Sequence, residues 1–352
     1  MSKSLVRYGI LGTGRIAAKM VPYIREAGNS EVSAAAASNS EKAAAFADKF
    51  RIAKSYGAYA SLLKDPSVDA VYVALPNALH FEYCRQALEH GKHVLCEKPL
   101  VLESRQLDTL EALAGKKNLK LMECFWYRFH PLVALVRETI KRELGAPLGF
   151  YSTLGFASPS ESDIRWNPLL GGGALYDLTC YQADALNYLL GPDLARASYL
   201  EAFGRRRNGV DANVSVEALF PGDFQVSLSS SIDRQGLNRT TIAGTEGTLI
   251  IPSLLMFPEV KESFFWLVKD GKKKKIEAGT ANAYAGMVKA FSAAIIENGP
   301  APVEARESRK DIVFLEKIKA AMGMEMADRT ALLPKARRGL KNVFMKMKRK
   351  WA

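Results

Sequence analysis

The strongest constraint on this chain is a six-residue turn, Gly12-Thr13-Gly14-Arg15-Ile16-Ala17, set between an apolar run at 5–11 and a helical run at 15–27. A strand that passes through such a turn straight into a helix does not continue as a meander; it begins a β-α-β unit. The same rhythm continues with a strand at 32–37, a helix at 40–50 with Ser38, Asn39 and Ser40 as cap candidates, and a helical turn at 61–64. A strand at 68–75, a helix at 80–90, a strand at 93–96, a helix at 104–117 and a strand at 120–123 complete it. This alternation predicts an α/β domain, a doubly wound parallel sheet, over residues 1–124.

In that setting the glycines have chemical meaning. The first permits the tight turn, the second lets the backbone approach a pyrophosphate, and the small Ala17 allows close helix–strand packing. The helix N-terminus offers free N–H groups and partial positive charge. Gly12, Thr13, Gly14, Arg15 and Ile16 are therefore expected to cradle a dinucleotide, with a merely structural glycine turn as the alternative. An NAD site calls for an acid about 20 residues later, at the end of the second strand. Ser38-Asn39-Ser40 stands there instead, with Glu31 before the strand and Glu41 inside the next helix. Ser38, Asn39 and Lys42 are the expected donors to a 2′-phosphate, with Arg15 adding charge, which favours NADP and leaves NAD open.

After Cys124 the pattern changes. A helix at 132–143 and a strand at 150–156 precede a long helix at 174–190, bracketed by Gly171-Gly172-Gly173 and Gly191-Pro192. Strand-like runs follow at 198–203, 214–220, 224–232, 240–243 and 248–251, then a hairpin around Asp270-Gly271 between 264–268 and the run up to 276. Helices return at 284–297 and 307–322. Residues 125–322 are thus expected to form an α+β domain with an open, largely antiparallel sheet, its last helix packing back on the first domain. A chain of 352 residues is long enough for two such cores.

The net charge of +12 is misleading, because 335–350 alone holds eight Lys and Arg and no acid, leaving +4 for the rest. No nucleic-acid partner is expected from so mild an excess. Within the extension 323–352, Leu340, Val343, Phe344, Met347 and Trp351 share one helical face among basic residues. Such a segment suits an anionic membrane surface or an acidic partner, or else forms a solvated tail or packs on its own subunit. Four cysteines and four histidines fall in no C-x-x-C or H-E-x-x-H pattern, so no metal centre and no disulfide framework are expected. No window is apolar enough for a membrane span and the N-terminus lacks a signal-peptide core, so a soluble cytoplasmic protein is expected.

Three stretches resemble the Gfo/Idh/MocA oxidoreductases over roughly residues 5–322. They are Gly9 to Ala17; Ala74-Leu75-Pro76-Asn77-Ala78-Leu79-His80 followed by Gly91-Lys92-His93-Val94-Leu95-Cys96-Glu97-Lys98-Pro99; and Gly171-Gly172-Gly173-Ala174-Leu175-Tyr176-Asp177 through Tyr181 and Asp184. The Glu-Lys-Pro triplet is the most specific of these. Met122 to Pro131 and Ile164-Arg165-Trp166-Asn167-Pro168 narrow the likeness to the branch with dimeric dihydrodiol dehydrogenase and NADP-dependent D-xylose dehydrogenase. The resemblance implies a Rossmann domain, NADP, an aldose or cyclic diol substrate, a cis peptide before Pro99, and a homodimer or homotetramer.

The residues can be read beside that likeness. Lys98 follows the carboxyl end of a strand, where open α/β sheets bind ligands, and can exchange a proton with a substrate hydroxyl. Asp177 and Tyr181 lie four apart on one helix, with Asp184 one turn further on the same face, so a Lys98–Asp177–Tyr181 proton relay is expected. Tyr181 stands where much of the family has His. A phenol is a poor resting base at neutral pH, which makes Tyr181 an acid or orienting donor unless Lys98 lowers its pKa. Thr179 stands where the family often has Gly. Leu75, Asn77, His80, Glu97, Arg165 and Trp166 are candidate cofactor contacts, and Trp126, Phe156 and Trp166 a candidate apolar wall; core packing or a surface ion pair is the plainer role for His80, Arg165 and the aromatics. The reading that follows is hydride transfer between NADP(H) and a sugar, polyol or cyclic diol. Two others are a silent NADP-binding protein tethered by its tail and a redox-neutral epimerase or lyase that retains its cofactor.

Overall fold

The computed structural model of the chain describes residues 5–158, 160–255 and 263–324. Its first sheet is parallel and six-stranded: β1 (Val6–Leu11), β2 (Ser30–Ala36), β3 (Lys54–Tyr56), β4 (Ala70–Val73), β5 (His93–Cys96) and β6 (Leu121–Glu123), in the order β3-β2-β1-β4-β5-β6. The crossovers are α1 (Arg15–Glu26), α2 (Ser40–Phe50), α3 (Tyr59–Leu63), α4 (Asn77–Glu89) and α5 (Ser104–Lys116). Strand order reverses at β1 and β4, which leaves a crevice beyond their carboxyl ends. Every residue of β4 is buried, as expected of a strand covered by helices on both faces. β3 has no counterpart in the sequence reading. It is a three-residue edge strand, Lys-Ser-Tyr, whose first two residues are exposed and only Tyr56 packs on the core, so it carries no apolar run.

The second sheet is mixed, mostly antiparallel and eight-stranded. α6 (Pro131–Glu143) leads into β7 (Pro147–Ala157), which runs through the middle of that sheet. α7 (Cys180–Leu190) is followed by β8 (Tyr199–Phe203), the small ribbon β9 (Arg206–Arg207) and β10 (Val210–Asp211), then β11 (Asn213–Phe220) and β12 (Phe224–Ser231). β13 (Asp233–Gly244), β14 (Thr248–Ile251), β15 (Ser263–Lys269) and β16 (Lys272–Ala278) give the order β16-β15-β14-β13-β7-β12-β11-β8. Only the β7–β12 pair of this sheet is parallel. Phe150, Ser152 and Leu154 of β7 are buried on the face that α7 covers, and Tyr151 between them is exposed on the other. The β15–β16 hairpin turns at Asp270 and Gly271, both at positive φ, which matches the twist of the flanking strands.

Two terminal helices tie the halves together. α8 (Ala283–Ile296) packs on α1 and β1, where the Tyr8 and Ser292 hydroxyls bond at 3.0 Å. α9 (Ala305–Ala321) lies against α7 and reaches α5 and β6, with Glu316 accepting from the Ser104 backbone N–H. The basic segment 335–352 lies outside the described residues. Among the described residues no helix is long and apolar enough to cross a membrane, and no group of His, Cys, Asp or Glu could hold a metal ion.

Candidate active site

The turn after β1 is built to approach something closely. Gly12 sits at φ +104°, and a Cβ there would come within 2.4 Å of the Ala74 carbonyl, so only glycine fits. Gly14 caps α1 without a side-chain hydrogen bond, and a Cβ at Gly14 would meet nothing within 4 Å. The first turn of α1 has no acid of its own, so its N–H groups and dipole are left available to an anion. A pyrophosphate fits this cradle. At the carboxyl end of β2, Ser38, Asn39 and Lys42 are exposed, and Asn39 Oδ1 accepts from the Lys42 backbone N–H at 2.9 Å to cap α2. Arg15 is exposed, with Nη2 donating to Asp163 Oδ2 across the cleft mouth at 2.7 Å.

The second wall is the segment after β5. Glu97 is buried, and Tyr72 donates its hydroxyl to Oε1 at 2.6 Å. Burial pushes the Glu97 carboxyl up, only partly offset by Tyr72 and Lys98. The Lys98–Pro99 peptide is cis. His80, which the sequence offered as a cofactor contact, is instead fully buried beneath this segment. Its ring nitrogens lie 2.8 Å from the carbonyls of Pro99 and Leu75, and burial pushes its pKa down. It braces the turn rather than lining the cleft. Leu75 and Asn77 do line the cleft, and Asn77 donates to the Gly171 carbonyl at 2.9 Å.

Facing Lys98 is the start of the long helix, which is not regular. Leu175–Thr179 form a π turn before α7 begins. Three glycines allow its approach. A Cβ at Gly171 would press on Asn77, at Gly172 it would lie 2.3 Å from the Arg165 carbonyl, and at Gly173 it would lie 2.2 Å from Asp211 Oδ1. Asp211, which sequence reasoning missed, accepts from the Leu175 N–H at 2.6 Å and so anchors the turn that carries Asp177. Burial raises its carboxyl to about 6. Thr179 uses its hydroxyl on Ser230 at 2.7 Å.

Lys98 Nζ donates to the Asp177 carbonyl at 2.7 Å and to its Oδ1 at 2.9 Å. Arg165 Nε donates to Asp177 Oδ2 at 2.6 Å and its Nη1 to Asp163 at 3.1 Å. A chain of alternating charge thus runs Arg15–Asp163–Arg165–Asp177–Lys98. Burial pushes the Lys98 ammonium down, but the Asp177 charge more than reverses this and the net shift is upward. Burial likewise raises Asp177, but Lys98 and Arg165 outweigh it and hold the carboxyl at about 2. Lys98 therefore rests as a cation with one N–H uncommitted. Tyr181 joins the group, with the ammonium 4.8 Å from its ring centre. Its hydroxyl accepts from Trp126 Nε1 at 3.1 Å, and burial holds the phenol well above its ordinary range. Asp184 does not join it. It lies one turn beyond Tyr181 in the regular part of α7, is fully buried, and its carboxylate accepts from Arg128 and Tyr127 instead.

The remaining wall is aromatic. Trp126 stacks on Tyr284 of α8 at 4.6 Å and 15°, and Tyr284 stacks on Tyr23 of α1 at 5.4 Å. Phe156 lies under the Arg165 guanidinium. Trp166 does not line the cleft; it is buried with Arg207 over its ring. Together with Lys98, Asp177 and Tyr181, these walls enclose about 390 Å³. Tyr284 and the link from Asp163 to Arg15 left no mark in the sequence, since each spans more than a hundred residues.

A nucleotide-type cradle at the switch point of a parallel sheet, opposite a lysine held by a buried carboxylate, defines a two-domain oxidoreductase. Family models carry that further. Residues 6–125 match the Gfo/Idh/MocA model described as an oxidoreductase family with an NAD-binding Rossmann fold, and 133–250 match the C-terminal domain of the same family. The chain belongs to the Gfo/Idh/MocA oxidoreductases. It is 33% identical to D-xylose 1-dehydrogenase (NADP(+)) 2 of Haloferax volcanii over 87% of this chain and 94% of that one. It is 34% identical to trans-1,2-dihydrobenzene-1,2-diol dehydrogenase of Xenopus laevis over 77% and 81% of the two chains. Among solved structures it is similar to the 3-ketoreductase KijD10 of Actinomadura kijaniata in complex with NADP and TDP-benzene, with a TM-score of 0.84, 25% identity and coverage of 90% and 98%.

Proposed function

We propose that this chain moves hydride between NADP(H) and a carbinol or carbonyl carbon of a sugar, polyol or cyclic diol, with Lys98 and Tyr181 handling the hydroxyl proton. The observation that carries this reading is the Lys98 ammonium, fixed by both the carbonyl and the carboxylate of Asp177 with one N–H left for a ligand. The relatives' printed names, a D-xylose dehydrogenase and a dihydrodiol dehydrogenase, support the substrate class and the cofactor. Gly12, Thr13, Gly14, Arg15 and Ile16 would hold the pyrophosphate, Ser38, Asn39 and Lys42 the 2′-phosphate, and Leu75, Asn77, Glu97 and Arg165 the nicotinamide end. When bound, the nicotinamide gives or takes the hydride. Tyr181 accepts from Trp126, which leaves its own O–H to donate to the substrate oxygen. Lys98 donates from its free N–H. In the reduction direction the two donors polarise the carbonyl and the ammonium supplies the proton. In oxidation the amine must first be free of its proton, so oxidation speeds up as pH rises. Trp126, Phe156 and Tyr284 offer flat apolar faces to the C–H face of a ring.

The test is turnover of a panel of aldoses, inositols and diols with NADP, followed by NADPH absorbance. Binding of NADPH without turnover of any of them would favour the silent, tethered protein. Conversion without net NADP reduction would favour the epimerase or lyase. NADPH is expected to bind at least about tenfold more tightly than NADH, roughly 1.4 kcal/mol. Ser38→Asp is expected to reverse that preference, because a carboxylate repels the 2′-phosphate and accepts from a ribose hydroxyl. Equal affinities in the parent chain would remove the 2′-phosphate role from Ser38, Asn39 and Lys42.

The dinucleotide role falls to residues 1–124 and the substrate and assembly roles to 125–322, in a cytoplasmic homodimer or homotetramer. The outer face of the eight-stranded sheet, with Tyr151 exposed near its middle and Tyr199 and Phe203 at its edge, supports assembly there. Light scattering is expected to give at least twice 38.7 kDa, and Tyr151→Arg to return the single-chain mass. A monomer in the parent protein would sink this assembly. Segment 323–352 is left as a basic extension suited to an anionic membrane or acidic partner.

A further inference from the structure

The turn that carries Lys98 is held at three points, and the third lies outside the cleft. Tyr72 holds Glu97 and His80 faces the Pro99 carbonyl. Glu123, at the end of β6, accepts the Leu100 backbone N–H on Oε1 at 2.9 Å. Glu123 is 2% exposed, and neither Tyr181 nor any other wall of the cleft touches it through a hydrogen bond. Among the described residues its second oxygen, Oε2, makes no hydrogen bond of ordinary geometry, although the Ser308 hydroxyl of α9 lies close enough to lower the carboxyl's pKa. Such a cost is tolerated where a group has work to do.

We infer that Glu123 is a positioning residue for the Lys98 turn, a buried acceptor that fixes the backbone two residues beyond the catalytic amine. This rests on the proposed role of Lys98. The groups around Glu123 are Arg128 before α6, Asp184 on α7, Ser308 and Asp311 on α9, and Leu100 on the turn itself. Arg128 is shared with Asp184 and Glu307, so no cation is dedicated to Glu123. Burial, reinforced by Asp184, therefore holds its carboxyl up at about 7. A neutral amide of the same shape can take its place: the Leu100 N–H needs an acceptor oxygen, not a charge.

Glu123→Leu removes the acceptor and Glu123→Gln keeps it. In the full chain with NADPH, Glu123→Leu is expected to lower kcat by about 30- to 100-fold while KM and the NADPH dissociation constant change by less than about threefold, and Glu123→Gln to recover kcat to within about threefold of the parent. Amide hydrogen exchange supplies a readout independent of turnover: the Leu100 N–H is expected to exchange at least about tenfold faster in Glu123→Leu and to stay protected in Glu123→Gln. Unchanged Leu100 protection in a folded Glu123→Leu chain overturns the inference, as does a kcat equal to the parent's. Should Glu123→Leu not fold, a Glu123→Gln chain with a deprotected Leu100 N–H overturns it equally. If instead Lys98 proves dispensable while Leu100 still follows Glu123, the proposed role of Lys98 has failed and the holding of the turn has not.

Discussion

Lys98→Met is expected to lower kcat/KM for the preferred substrate by about a thousandfold, within the 100- to 10 000-fold range that a positioned proton carrier usually contributes. Methionine keeps much of the buried stem and removes the ammonium. The substrate oxygen then loses both a donor and a proton source, while Tyr181 remains. NADPH affinity is expected to stay within about threefold, because the pyrophosphate cradle at Gly12 to Ile16 is untouched. The variant will be less stable than the parent, since Asp177 keeps only Arg165 as a cationic partner. Steady-state kinetics together with NADPH fluorescence check this. A kcat/KM within about threefold of the parent would remove Lys98 from the chemistry.

Asp177→Asn is the second large effect, and it reads out in pH. Burial alone pushes the Lys98 ammonium down, and the Asp177 charge reverses that. With the charge gone, burial and the like charge of Arg165 lose their largest opponent, so the Lys98 pKa falls. In the reduction direction the alkaline limb of the kcat profile, where the ammonium is lost, is expected to move to lower pH. At pH 7 a loss of roughly a hundredfold in kcat/KM is expected from lost charge and geometry. Stability gives a second measure. Asp177 is held at about 2 against an ordinary 3.8, so its ion pairs stabilise the fold fully above pH 4 and progressively less as pH falls toward 2. The contribution is about 2 kcal/mol, at 1.36 kcal/mol per pKa unit. Melting curves of parent and variant should therefore converge in acid. An unmoved alkaline limb would mean that Asp177 does not govern the charge of Lys98.

The sequence reading found the residues that announce themselves locally. Gly12, Lys98 and Asp177 each sit in a short motif whose neighbours constrain it. Strand order was not legible in detail, yet the alternation of strands and helices was enough for the parallel sheet. Helical spacing puts Asp184 on the face of Asp177 and Tyr181, but its carboxylate is taken up by Arg128 and Tyr127, whose approach no local spacing announces. Of the two roles open to His80 and Trp166, cofactor contact or packing, the structure shows packing: His80 lies against the Leu75 and Pro99 carbonyls, and Trp166 is buried under Arg207. β3 left no signal because two of its three residues are exposed at the sheet edge, so it needs no apolar run.

What the amino-acid order determined alone is whatever depends on neighbours in the chain: the β-α-β cradle, the absence of an acid after β2, the turn at Lys98 and the glycines at 171–173. Tertiary structure decided whatever depends on a partner far away in sequence. Asp163 reaches Arg15 across 148 residues, Tyr284 comes to Trp126 only because α8 returns to α1, and Asp211 anchors the turn of Asp177 from another strand. The charge of Lys98 belongs to this second group. A lysine's pKa follows from its burial and from the charges packed around it, and these exist only once the two sheets have been brought together.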